Sequence, residues 1–208
     1  TVGRLITWHR YYTFGEKHKF EYPDDFWADV FQNYFDVYVD DIEHEFSNGK
    51  ALAKFMLEYA NIHISYAPVG EGYPEYLLCK NYDDLYFVDN EEWGYLTTDN
   101  VAKMTNEDIG AFLEALRYLR INEYEEMARH LPDFIFSRVY MYEHSGIALS
   151  LSNDTYPFND RWDAGVLGYW SCTKEEAKKA GYDTETAHWK LKVLELMEGR
   201  IEEFNNVE

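Results

Sequence analysis

A histidine, a serine, an arginine and an aspartate occur in two polar breaks that separate three apolar runs of the chain. The first break holds His144 and Ser145, and the second ends with Arg161 and Asp163. A histidine within hydrogen-bond reach of an aspartate can act as a general base, with the serine hydroxyl or a water as nucleophile. The Gly-x-Ser-x-Gly turn that exposes a nucleophilic serine in hydrolases is missing around Ser145. We therefore interpret the cluster as turn chemistry that satisfies backbone amides, and keep catalysis as the alternative.

Carboxylates are the second group of side chains whose spacing suggests a function. The chain carries 39 Asp and Glu against 19 Lys and Arg, a formal net charge of -20. Residues 20–49 and 81–102 contain acids but no Lys or Arg. Such a surface repels phosphate backbones, so we expect no direct binding of nucleic acid. The acids expected to contact a protein partner are Asp25, Asp29, Asp36, Asp40, Asp41 and Glu43 in the first stretch and Asp83, Asp84, Asp89, Glu91 and Glu92 in the second.

Strands are predicted to position the polar cluster. Residues 134–142 and 147–151 alternate in the manner of strands, and residues 166–172 are apolar throughout, as in a strand covered on both faces. A meander of three antiparallel strands is the simplest topology for them. Residues 5–12 predict a further strand. The predicted fold class is α+β, with a mostly antiparallel sheet, made of the N-terminal strand and the central meander, flanked by helices.

A helix is predicted to position the first group of acids. Pro23 begins it, apolar residues recur at helical spacing as far as Phe46, and Asn48-Gly49 ends it. Residues 61–98 contain short strand candidates separated by Pro and Gly, which predicts a small hairpin-rich insertion. We expect a single domain over residues 1–208, with residues 61–98 as a candidate embedded subdomain.

Cysteine spacing, missing motifs and hydropathy indicate the cellular compartment and the kinds of ligand to expect. Cys79 and Cys172 lie in apolar surroundings without a disulfide or metal-binding spacing, which predicts buried free thiols. The chain shows no metal-binding cluster and no Gly-rich phosphate loop, so we expect neither metal nor cofactor. We recognise no signal-peptide pattern and no apolar run long enough to span a bilayer, which predicts a cytoplasmic protein without a membrane partner.

Two patterns in the central segment carry a resemblance. They are Tyr142-x-His144-Ser145-Gly146-Ile147 and Trp162-Asp163-x-Gly165-x-x-Gly168, with Phe158 between them. They resemble a family of acidic, mostly uncharacterised proteins encoded by bacteriophages and mobile elements.

The N-terminal part of the chain extends this resemblance. Proteins of that family tend to begin with a strand that ends in His-Arg-x-Tyr, which here is His9-Arg10-Tyr11-Tyr12. The family's second pattern is W-D-S-G-Q-V-G, and this chain departs from it with Ala164 and Val166. The departures remove two polar groups that a catalytic site would use.

The resemblance and the charge together predict a bacteriophage interaction protein located in the cytoplasm of the host cell. We expect it to inhibit a host defence, such as restriction or CRISPR interference, by occupying the basic channel of a host nucleic-acid-binding protein with carboxylates in place of phosphates. One alternative is a small enzyme that acts on a nucleotide or signalling molecule through His144 and Asp163. The other is an accessory phage protein without a host target, whose charge serves solubility.

Overall fold

The computed structural model describes residues 2–37, 42–59, 63–66, 76–79, 94–95, 97–116, 119–143, 146–152 and 164–206. In chain order the elements are β1 (Arg4–Thr7), α1 (Pro23–Tyr34), α2 (Ile42–Glu58), β2 (His63–Tyr66), β3 (Tyr76–Cys79), β4 (Gly94–Tyr95), α3 (Thr98–Val101), α4 (Asn106–Ala115), α5 (Ile121–Arg129), β5 (Phe134–Glu143), β6 (Ile147–Ser152), β7 (Ala164–Thr173), α6 (Lys174–Lys179) and α7 (Trp189–Asn206). Contacts divide the chain into two compact units. Unit 1 is Thr1–Lys19 with Leu131–Glu208, and unit 2 is Phe20–His130. The single domain expected over residues 1–208 stays a prediction.

Unit 1 contains a four-stranded antiparallel sheet with the strand order β1-β7-β5-β6. The α+β class is confirmed, and the expected strands are present. The expected meander is wrong, because β5 and not β6 is the middle strand of the three. β5 and β7 have 10 residues each and pair along almost their full length, whereas β6 has 6 residues. Because a long strand gains more ladder hydrogen bonds from a partner of equal length, β7 pairs with the edge of β5 that a meander would leave open.

Strand β7 contains a bulge within the pattern Trp162-Asp163-x-Gly165-x-x-Gly168. Val139 lies opposite Gly168 and Tyr140 opposite Val166, so Leu167 is an extra residue in β7. Strand β1 comes very close at the same point, since a Cβ on Gly168 would lie 2.0 Å from the carbonyl oxygen of Ile6. Glycine at this position therefore lets the two backbones approach.

The core of unit 1 lies between the sheet and α7. Trp189, Val193, Met197 and Ile201 recur every four residues along α7 and are buried in one cluster with Trp170 of β7. Residues 167–172 are buried, as predicted for a strand covered on both faces, but the prediction was wrong for Val166, which is 50% exposed. Buried apolar area of this kind stabilises the fold by about 25 cal/mol per Å².

The acidic helix predicted from Pro23 to Asn48-Gly49 is wrong, because α1 ends at Tyr34 and α2 begins at Ile42. Asp36 has a φ of 56°, a left-handed conformation that a helix cannot continue through. The side-chain amide of Asn48 donates a 2.9 Å hydrogen bond to the carbonyl of Asp36. Asn48 and Gly49 lie inside α2. The turn propensity of Asn-Gly is therefore overridden by tertiary contacts such as the bond from Asn48 to Asp36.

Aromatic side chains dominate the core of unit 2. Phe26, Trp27 and Phe31 of α1 are fully buried, and Phe31 stacks on Tyr124 of α5 with ring centroids 6.0 Å apart. The predicted small sheet is present as three antiparallel strands in the order β3-β2-β4. The sequence also suggests a short strand at residues 85–88, but that stretch and most of the remainder of 61–98 lie outside the described residues, so the embedded subdomain stays a prediction.

Candidate functional site

Negative charge is concentrated in unit 2. Residues 20–130 hold 24 Asp and Glu against seven Lys and Arg, a net charge of -17. Residues 1–19 and 131–208 hold 15 against 12, a net charge of -3. A charge that served solubility alone would be spread over both units. The segregation therefore favours a role for the negative potential of unit 2 in binding.

Three of the predicted partner-binding acids lie on α1 or just after it, and they differ in what they already bind. Asp25 is exposed, and its Oδ2 accepts a 3.1 Å hydrogen bond from the backbone amide of Tyr22, which stabilises the start of the helix. Asp29 lies one turn further along, and its Oδ2 accepts a 3.0 Å bond from the side chain of Asn33. Asp36 is exposed beyond the end of the helix. Asp36 is thus an exposed charge and Asp29 a half-buried one, whereas Asp25 also holds the helix start.

The structure does not describe the side chains of the other predicted acids. Glu43 lies in α2, at a position whose side chain is outside the described set. Also outside the described residues are Asp40, Asp41, Asp83, Asp84, Asp89, Glu91 and Glu92. An exposed acid that the sequence analysis did not single out is Glu21, which directly precedes α1.

The predicted catalytic cluster also lies outside the described residues, namely His144, Ser145, Arg161 and Asp163. The alternative of catalysis therefore stays a prediction. One of the described residues next to it in the chain is Glu143, the last residue of β5. The hydroxyl of Tyr12 donates a 3.3 Å hydrogen bond to Oε1 of Glu143. The N-terminal His-Arg-x-Tyr pattern and the strand that leads into the His-Ser-Gly pattern are thus in contact.

A pocket lies in unit 1 where the chain turns back on itself after β1. We call it the N-terminal pocket. It has a volume of about 700 Å³ and is lined by residues from Thr7 to His18. The strand predicted over residues 5–12 ends at Thr7, and the following residues form this loop instead. The pairing of β1 with β7 covers Arg4–Thr7. One further bond of 2.9 Å joins the amide of Trp8 to the carbonyl of Leu167, and the loop begins there.

Three hydrogen bonds fasten the loop to β1. The amide of Glu16 donates to the carbonyl of Leu5 at 2.9 Å, and Oγ1 of Thr7 donates to the carbonyl of Phe14 at 2.6 Å. Nε2 of His18 lies 2.8 Å from the carbonyl of Thr7. Gly15 allows this closure, since its φ is 81° and a Cβ there would lie 2.3 Å from the carbonyl of Leu5.

Each of the two histidines of the pocket has one ring nitrogen in contact with backbone groups. Nδ1 of His9 accepts the backbone amides of Tyr11 at 3.0 Å and Tyr12 at 3.1 Å, so its ring proton is on Nε2, which is a donor. His18 places its Nε2 against a carbonyl oxygen, which only accepts, so its Nε2 carries a proton.

The residues of this loop are basic, in contrast to the chain as a whole. Residues 8–19 hold three cations, Arg10, Lys17 and Lys19, against Glu16 alone, a net charge of +2. The pattern His9-Arg10 was visible in the sequence, but Lys17 and His18 were not predicted to join it. Gly15 is the sequence signal that could have predicted this proximity, because a glycine there allows the chain to reverse its direction and place Lys17 and His18 near His9 and Arg10.

Comparisons of the chain with protein-family models, with curated proteins and with solved structures found no match. Among the described residues, no helix has the length and apolar character needed to cross a bilayer.

Proposed function

We propose that the chain is an acidic interaction protein of a bacteriophage that inhibits a host nucleic-acid-binding defence system, restriction or CRISPR interference. The observation that carries the proposal is the net charge of -17 within residues 20–130, against -3 in the other unit. A basic channel that evolved to bind nucleic acid attracts such a surface at long range and raises the rate of association. The resemblance to phage proteins supplies the biological setting.

The acids of α1 provide the described part of the mimicking surface. Asp25 and Asp29 are one helical turn apart, which places their backbone positions about 6 Å from each other on one face. Carboxylates at regular intervals on a rigid helix can occupy the positions of successive phosphates, because both groups accept charge-assisted hydrogen bonds from Arg and Lys. Nucleic acid and this protein would then compete for the same channel.

The experiment compares two triple variants with equal net charge. The unit 2 triple is Glu21→Lys, Asp29→Lys and Asp36→Lys, and the unit 1 triple is Glu185→Lys, Glu198→Lys and Glu202→Lys. Each changes the net charge by six, from -20 to -14. Asp25 is left unchanged because its hydrogen bond to Tyr22 stabilises α1. The circular dichroism spectra of both variants should match that of the wild type, which checks that they are folded.

The readout is capture of host proteins on the tagged chain at low salt, followed by displacement with double-stranded DNA. We expect the wild type to retain a nucleic-acid-binding protein that DNA displaces and that high salt releases, since exposed ion pairs are screened. The unit 1 triple should retain it, and the unit 2 triple should lose it. Equal capture by both triples, or capture that DNA does not displace, would contradict mimicry.

A further inference from the structure

The N-terminal pocket combines cations with aromatic rings, and its chemistry differs from that of the acidic unit. We propose that this pocket binds a mononucleotide, whose phosphate contacts Arg10 and Lys17 and whose base lies against Tyr12. The proposal does not depend on the inhibitor function, because the pocket belongs to unit 1 and the concentrated negative charge to unit 2.

The phosphate half of the site is formed by three donors. Arg10 and Lys17 both line the pocket, as does His9, whose Nε2 carries the ring proton. Guanidinium and ammonium groups bind phosphate by charge-assisted hydrogen bonds, which are about twice as strong as neutral ones. Within residues 8–19 these cations outnumber Glu16, so an anion meets a locally positive potential although the whole chain is negative.

The base half of the site is formed by aromatic side chains. Tyr12 is 40% exposed and lies beside the ring of His9 with centroids 4.9 Å apart. Trp8 makes an edge contact with the ring of His18, with centroids 5.2 Å apart. A flat base of any kind can stack on such rings.

The shape of the pocket suits a ligand of this size. Its volume of about 700 Å³ falls within the range of ligand-binding pockets. The hydrogen bonds from Glu16, Thr7 and His18 hold the loop to β1 before a ligand arrives. Binding therefore costs little loop entropy, which favours measurable affinity for a small molecule.

The test titrates the full chain with adenosine monophosphate, with inorganic phosphate and with adenosine in separate calorimetric experiments. A double variant, Arg10→Ala with Lys17→Ala, removes both pocket cations. Its matched control is Lys179→Ala with Lys192→Ala, which removes two exposed cations of the same unit outside the loop and outside the pocket lining. NMR chemical shifts of the ring protons of His9 and His18 locate the ligand, with the exposed His188 as internal reference.

We expect adenosine monophosphate to bind more tightly than phosphate or adenosine and to shift the His9 and His18 signals. The pocket variant should lose at least about tenfold in affinity, as expected for a charge-assisted contact, and the control less than about twofold. Phosphate that binds as tightly as the nucleotide overturns the base contact, and adenosine that binds as tightly overturns the phosphate contact. A wild-type chain that binds no probe up to about 10 mM overturns the proposal entirely.

Discussion

Two buried titratable side chains, Cys172 and Tyr124, are held in their neutral forms by their surroundings. Burial, reinforced by the charge of Glu176, raises the pKa of the Cys172 thiol to about 12. Burial, reinforced by Asp24 and Asp25, raises the pKa of Tyr124 far above its ordinary value. A thiol of this kind is a weak nucleophile at neutral pH, and Cys172 therefore serves packing.

The reactivity of Cys172 can be measured in a Cys79→Ser background. At about pH 8 the thiolate fraction at a pKa of about 12 is roughly 1,000-fold lower than in the unfolded chain, so a thiol reagent should label the native protein at least that much more slowly. Since the folded pKa lies above the unfolded value of 9.0, the contribution of the neutral thiol to stability is complete below pH 9 and is lost as the pH rises toward 12. Equal labelling rates with and without urea would contradict a buried, neutral thiol.

Gly49 allows α2 and α4 to approach each other, and its replacement should be destabilising. A Cβ at Gly49 would lie 2.5 Å from Cγ2 of Ile109, a buried β-branched side chain that has little freedom to move. Gly49→Ala gains up to about 1 kcal/mol in helix propensity but costs about 1–3 kcal/mol in overpacking, so we expect a net loss of stability.

Gly110→Ala in α4 is the matched control for Gly49→Ala, because nothing lies within 4 Å of a Cβ at that position. It should raise the free energy of unfolding by about 0.5–1 kcal/mol through helix propensity alone. The midpoints of urea unfolding of both variants, compared with that of the wild type, measure these two changes in stability. Stabilisation by both substitutions would mean that the two helices have room for a side chain at Gly49.

At the scale of elements, β1 is held to β7 by a pairing that depends on Gly168. A Cβ there would lie 2.0 Å from the backbone oxygen of Ile6, whereas nothing lies within 4 Å of a Cβ on Gly165. We expect Gly168→Ala to cost more than about 2 kcal/mol, because two backbones must separate, and Gly165→Ala to change stability by less than about 0.5 kcal/mol.

Amide hydrogen exchange tests the Gly168 prediction locally. Faster exchange in Arg4–Thr7 should accompany Gly168→Ala, because the bonds between β1 and β7 open first. The same variant should weaken nucleotide binding in the N-terminal pocket, since β1 holds the loop. Unchanged exchange in β1 would show that the sheet accommodates the added methyl group.

Local patterns predicted most of the strands, because alternation and β-branched residues are properties of a few neighbouring positions. The order of the strands was not predictable in this way, since β7 could pair with either β5 or β6 and the choice depends on relative length. Asn48-Gly49 was mistaken for a helix end, because the contact of Gly49 with Ile109 lies 60 residues away in sequence. Turn propensity is a weak prior that such contacts override.

In the candidate site too, residue types could be predicted from the sequence, whereas contacts between separated residues could not. The acids of α1 and the pattern His9-Arg10 were visible as residue types. The pocket was not, because it forms only when Glu16, Thr7 and His18 bond to backbone groups on the other side of the loop. The sequence also showed the total charge but not its division, which depends on where the compact units begin and end.

At the scale of the whole molecule, the division of charge makes unit 2 repel itself. The electrostatic cost of a charged body rises roughly with the square of its net charge, so a unit at -17 carries far more repulsion than one at -3. Proteins tolerate such repulsion at a cost to the compact state. In a protein whose charge serves binding, stability and affinity for a basic partner should therefore respond to salt in opposite directions.

The salt dependence of unfolding tests this statement with the same two triple variants. Sodium chloride should raise the thermal midpoint of the wild type between about 20 mM and 0.5 M, because the Debye length falls from about 20 Å to about 4 Å. The unit 2 triple lowers the charge of its unit from -17 to -11 and should show a smaller rise, whereas the unit 1 triple changes its unit from -3 to +3 and should match the wild type. A midpoint that does not rise with salt, or equal slopes for the two triples, would mean that the acids of unit 2 are too far apart to interact. Carboxylates so widely separated would also be a poor imitation of a phosphate backbone, so this result would weaken the proposed mimicry before any partner is identified.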